Sequence, residues 1–192
     1  MRIAAGILAL AILPIEQLSL PATGQVGESI RQWELSTRID VSDFSADRLR
    51  LEIPRLADQL KIDARGPAGM PQQQYQAFVL DTLTQEYLFW ARDRAGGDVT
   101  RLGEPTVAPE TVNAFLAYLG PAVQGRLVGR LEVSSDPDKA PIEIDGANKG
   151  LTQRRFVMSA GTHAVTVSPP LRQACRRLVT IVAGQTATVD CR

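Results

Sequence analysis

The sequence is poor in the residues that most often carry chemistry. Its 192 residues include one histidine, His163, and two cysteines, Cys175 and Cys191. That set is too small for a four-ligand zinc site of His and Cys, and a lone imidazole narrows the acid–base repertoire. Net charge is also missing, because Lys+Arg and Asp+Glu stand at 21 each. No overall field would gather nucleic acid or an acidic membrane surface. There are no internal repeats, no low-complexity tracts and no Cys-x-x-Cys pair. What remains is an ordinary globular composition, 44% hydrophobic and 22% charged, sufficient for one domain or two small ones with a core.

The beginning of the chain is distinctive. Arg2 precedes the uncharged run Ile3–Leu13, and Pro14 follows it. The run is too short for a bilayer core, which takes about 20 apolar residues, and its order is that of an export signal. Ala22-Thr23-Gly24 supplies the small residues for cleavage before Gln25, so residues 1–24 are expected to be a signal peptide. The alternative, an uncleaved anchor, would place Pro14 and Glu16 in hydrocarbon. No cysteine follows to take a lipid, and no later segment is long and apolar enough to span a membrane. Removal of Arg2 and Glu16 leaves the mature chain neutral. The expected location is therefore periplasmic or secreted, where an even number of cysteines tends to pair.

Residues 25–128 are expected to form an α+β region dominated by helices. Trp33, Leu35, Ile39 and Val41 share one parity, as do Leu49, Leu51 and Ile53, which predicts two strands. Helical spacing competes at Leu49, Ile53, Leu56 and Leu60, but Pro54 would interrupt that helix, so a strand to Ile53 and a helix begun by Pro54 are preferred. After the breaker-rich stretch 65–71, Tyr75, Phe78, Val79, Leu83, Tyr87, Trp90 and Ala91 predict a helix near 71–95, ended by Gly96-Gly97. A second helix is predicted near 109–119, opened by Pro109 and closed by Gly120-Pro121.

From Gly129 onward, short alternating runs separated by Gly, Pro, Asp and Asn predict an all-β region over 129–192. The expected strands are Arg130–Ser134, Pro141–Asp145, Arg155–Met158, His163–Val167, Arg177–Val182 and Thr186–Cys191. Six such strands imply a sandwich or a partly open barrel. A three-residue loop, Val182-Ala183-Gly184, would join the last two as a hairpin. That register sets Cys175 opposite Cys191, close enough for a disulfide.

The motif set Leu131-x-Val133-Ser134-Ser135-x-Pro137, Ala140-x-Ile142-x-Ile144-Asp145-Gly146, Gly150-x-Thr152 and Ala160-Gly161-x-His163-x-Val165-x-Val167 resembles the PEGA domain, a small β-sandwich module of envelope and surface-layer proteins. It departs from the family pattern at Pro141, Gln153 and Pro169-Pro170. The resemblance covers about a third of the chain and implies a non-catalytic binding or spacer module outside the cytoplasm. The fold class expected for the whole is α+β, a helical middle region followed by a PEGA-like sandwich.

Few residues stand out as sites. His163 shares parity with Val165 and Val167 and reads as a satisfied core or rim histidine. Asp136, Asp138 and Asp145 match no calcium loop and read as turn residues. Arg172, Arg176 and Arg177, with Arg154-Arg155, form a basic group suited to an anionic wall polymer, or simply a solvated face. In Tyr87-Leu88-Phe89-Trp90 the apolar residues exceed one stripe, so Phe89 either faces a partner or packs on residues 30–53. Asp81 and Glu86 are about 140° apart on a helix and make no acid–base pair. No catalytic residue, metal or cofactor is indicated. The expectation is an envelope component that binds a protein or an anionic wall polymer, with no role for nucleic acid. The alternative is a small periplasmic enzyme or inhibitor domain in 25–128 tethered by the sandwich.

Overall fold

A computed structural model describes residues 22–37, 43–94 and 108–192. Most of the expected signal peptide, residues 1–21, lies outside that set. Among the described residues four helices precede seven strands: α1 (Ala22–Thr37), α2 (Asp43–Gln59), α3 (Gln72–Arg94), α4 (Pro109–Val123), β1 (Val128–Ser135), β2 (Pro141–Ile144), β3 (Ala147–Leu151), β4 (Arg154–Ser159), β5 (Gly161–Val167), β6 (Cys175–Ile181) and β7 (Thr186–Cys191). The fold is α+β.

Of the two strands predicted before Pro54, the second is helical instead, as are Trp33 and Leu35 of the first, while Ile39 and Val41 lie outside the described residues. In α1, Val26, Ile30 and Trp33 are buried at helical spacing, while Leu35, which alternation would bury, is 76% exposed. The ridge Leu49, Ile53 and Leu56 of α2, continued by Leu60 just past its end, is buried, and Leu51 is exposed. Pro54 sits inside that helix. A proline there costs about 3 kcal/mol, whereas burying each leucine or isoleucine of the ridge returns roughly 1.5–3 kcal/mol. The ridge prevails.

Helix α3 is central. It packs against α1, α2, α4 and the strands β1 and β4, and every residue from Thr82 to Phe89 is buried. A helix enclosed on all sides needs apolar residues all round rather than one stripe, which accounts for the run at 87–90. Helix α4 runs through Gly120 and Pro121 to Val123 instead of stopping before them. It is closed where the Gln124 N–H donates to the Gly120 carbonyl and the Gly125 N–H to that of Lys61.

The strands form two sheets, ordered β4-β1-β7 and β3-β2-β5-β6. Leu131, Val133, Phe156 and Met158 of the first face Ile142, Ile144, Val165 and Val167 of the second across a dry core. Strand β3, missing from the sequence expectation, has no buried residue to give it an apolar period. Tyr87, Leu88, Phe115 and their neighbours form a second core, which reaches the other face of the three-stranded sheet through Val128 and Val157.

Strands β6 and β7 do not form the predicted hairpin. They lie in different sheets, and β7 pairs in parallel with β1. The expected loop does hold the turn, with Gln185 N–H donating to the Val182 carbonyl, but it works as a corner between sheets. Ala183 is buried in the helical core, the Gly184 N–H donates to the Val128 carbonyl, and the Arg130 N–H to that of Gln185. These bonds draw the chain away from β6 and onto β1. Gly129 is what allows the approach, because a Cβ there would lie 2.4 Å from the Val182 carbonyl oxygen. The Cys175–Cys191 disulfide is present with Cα atoms 5.9 Å apart. It joins the edges of two sheets, not neighbours in one ladder.

Candidate functional site

The helices are fastened to the sheet by a buried polar joint. Glu86, on the sheet-facing side of α3, is 1% exposed. Its Oε2 accepts the Val157 N–H at 2.9 Å, and its Oε1 accepts the Tyr118 hydroxyl at 3.0 Å. Arg154 lies 3.9 Å away, itself buried and bonded to Asp93. Since β4 has β1 as its sole strand neighbour among the described residues, the Glu86 carboxylate stands where a further strand would otherwise satisfy that edge. Burial pushes the Glu86 carboxyl above its ordinary range, against the opposing pull of Arg154, the Val157 N–H and Tyr118. Burial and the neighbouring Glu86 likewise push the Tyr118 phenol up. On the other side of α3, Asp81 pairs with Arg130 and accepts from the Ser29 hydroxyl at 2.7 Å. Tyr75 accepts the Val128 N–H at 2.7 Å.

Beside this joint the helices leave part of the three-stranded sheet uncovered, and a groove of about 930 Å³ opens there. The end of α3 supplies Phe89, Arg92 and Asp93, and the sheet supplies Glu132, Ser134, Arg155 and Thr188. The β1–β2 loop adds Asp138 and Lys139, and the turn before β4 adds Thr152 and Gln153. Arg155 pairs with Glu132 at 3.0 Å, and Asp93 serves both Arg92 and Arg154. The Nε of Arg154 is buried with no acceptor among the described residues. Thr152 is fully engaged, bonded to the Ser135 hydroxyl and the Ala140 N–H.

The residues singled out in the sequence do not converge. Arg176 and Arg177 are exposed on β6, the edge of the four-stranded sheet, and Arg172 is exposed nearby, donating to the Asp136 carbonyl at 2.7 Å. Arg154 and Arg155 belong to the groove instead, so the basic group is two surfaces. Phe89 is 8% exposed and meets Trp33 edge-on at 6.2 Å. It packs on α1, the second of the two roles open to it. His163 is satisfied on both nitrogens, Nδ1 by Asp145 at 2.7 Å and Nε2 by the Ser159 carbonyl at 2.9 Å. Partial burial tends to raise the Asp145 carboxyl, but bonds from His163 and the Ala164 N–H outweigh it and hold the group below its ordinary range.

Sequence reasoning missed the groove because its members come from six separated segments, each unremarkable alone. One signal was present: Glu86 is a charge inside an apolar stretch, which demands a buried partner.

The residues of both sheets, 128–192, match a family model described as the PEGA domain. The match covers a third of the chain. No curated protein and no solved structure matches the chain.

Proposed function

We propose that this protein is an exported, non-catalytic binding component of a bacterial-type cell envelope, acting through contacts with an envelope protein or a wall polymer. The carrying observation is the PEGA match over 128–192. The cystine between the two sheets supports it, since such bonds persist in oxidising compartments. Absence of catalysis is supported by where the titratable groups are spent. His163 is held between Asp145 and a carbonyl, and Glu86 is sealed beneath Tyr118 and Arg154. The helical interior is filled by Trp33, Tyr75, Tyr87 and Phe115, with a residual void of about 20 Å³ beside Ala57 and Val79.

Fractionation of cells expressing the full chain, with thiol labelling and intact mass, tests this reading. The expected result is recovery with the envelope, loss of the first 24 residues and no free thiol. A cytoplasmic protein retaining its N-terminus and two reactive thiols would refute it.

A further inference from the structure

The groove and the β6 arginines differ in one respect that bears on their ligands. On β6, Arg176 and Arg177 have no carboxylate partner among the described residues, which suits an anion. In the groove the charges are paired: Arg92 and Arg154 share Asp93, Arg154 also lies 3.9 Å from Glu86, and Arg155 pairs with Glu132. Of the lining ions, Asp138 and Lys139 alone have no ion-pair partner among the described residues, and they are adjacent and of opposite sign. Such a surface has little surplus field to concentrate a polyanion.

Paired ions are not exhausted ions. A guanidinium carries five N–H donors and a carboxylate about four lone-pair sites, so each pair keeps capacity for a group that both donates and accepts. Hydroxyl groups do this. Ser134, Thr188 and Gln153 line the same space. The Nε–H of Arg154 has no acceptor among the described residues but is buried, so the donors open to a ligand are those of Arg92, Lys139 and Arg155. The volume stands at the upper end of the small-ligand range, enough for several linked rings. Phe89 offers no stacking platform, because Arg92 lies over its ring at 5.0 Å and Trp33 abuts it.

We infer that this groove binds a neutral, hydroxyl-rich oligosaccharide segment through hydrogen bonds. This deepens the binding role proposed above and rests on it only for where such a glycan is met. With no aromatic stacking, affinity for one segment is weak, with Kd on the order of 0.1–1 mM, and a polymer gains by repetition.

The test is an NMR titration of the full chain with the neutral N-acetylglucosamine tetramer and maltotetraose, against oligogalacturonate of equal length and an oligoglutamate peptide. The expected result is saturable shifts at Ser134, Lys139, Gln153, Arg155 and Thr188 with a neutral sugar. The double variant Asp138→Ala/Lys139→Ala, at positions without ion pairs, should weaken binding about 3–10-fold and leave the remaining spectrum folded. Arg177→Glu should leave sugar binding unchanged. Absence of saturable shifts with either neutral sugar, tighter binding of oligogalacturonate or oligoglutamate at the groove, or sugar binding unaltered in the double variant would each overturn the inference. Envelope recovery with a silent groove would sink this inference and leave the proposed function standing. Sugar binding by a protein found in the cytoplasm with free thiols would do the reverse.

Discussion

Two carboxylates give the folded chain opposite responses to acid. Glu86 has a folded-state pKa above its ordinary value because it is buried, so its contribution is complete below about pH 4.5 and declines as pH rises through the raised value. Asp145 has a folded-state pKa below its ordinary value, so its contribution is present above about pH 4 and is lost on further acidification. Urea midpoints measured across pH should show Glu86→Gln flattening the decline on the higher side and Asp145→Asn flattening the loss on the acid side. A Glu86→Gln midpoint curve parallel to that of the parent would contradict the first assignment. Gly129→Ala tests packing at the same scale. The added methyl meets backbone rather than a flexible side chain, and overpacking of this kind costs about 1–3 kcal/mol, read as a lowered urea midpoint with an unchanged slope. Of these residues, the sequence reading found His163 as a satisfied imidazole and placed Asp145-Gly146 in a turn, because both follow from local chemistry. Positive φ at Asp145 and Gly146 bears out the turn. The partners of Glu86 were invisible, being 32 to 71 positions distant.

Elements were legible where local signals agreed and misread where they competed. Helix α3 and most strands follow their periodicity closely. Helix α2 was misread because a proline rule, local and strong, was set against a four-residue ridge whose value depends on what packs against it. The consequence is measurable. Pro54→Ala restores an N–H and removes a clash at the cost of a freer unfolded chain, with a net gain of about 1–2 kcal/mol. A raised urea midpoint is expected, and a lowered one would mean that the ring itself fills space that alanine leaves empty. The hairpin between β6 and β7 was misread for a different reason. Gly184 signals a reversal but not which sheet receives the returning strand, and Ala183 docking into the helical core decides that.

At the scale of the molecule, the helices and the strands share an apolar layer as well as the Glu86 joint. The disulfide closes one end of the seam between the sheets while the 182–185 corner closes the other. A bond enclosing a separation of 16 residues is worth about 3 kcal/mol in the chain-entropy model. Cys175→Ser/Cys191→Ser should lower stability by about that amount, and adding reductant should depress the parent and leave the variant unchanged. Equal sensitivity of the two would show that the bond stabilises nothing.

The pairing of β7 with β1 also constrains the order of events during synthesis. The first strand of the sandwich waits for residues 186–191 before its sheet is complete, and the two thiols meet only then. Until residues 186–191 are in place, the three-stranded sheet lacks its β7 edge and the cystine cannot form. If the protein is exported as proposed, that closure follows the arrival of residues 186–191 in the compartment where thiols are oxidised.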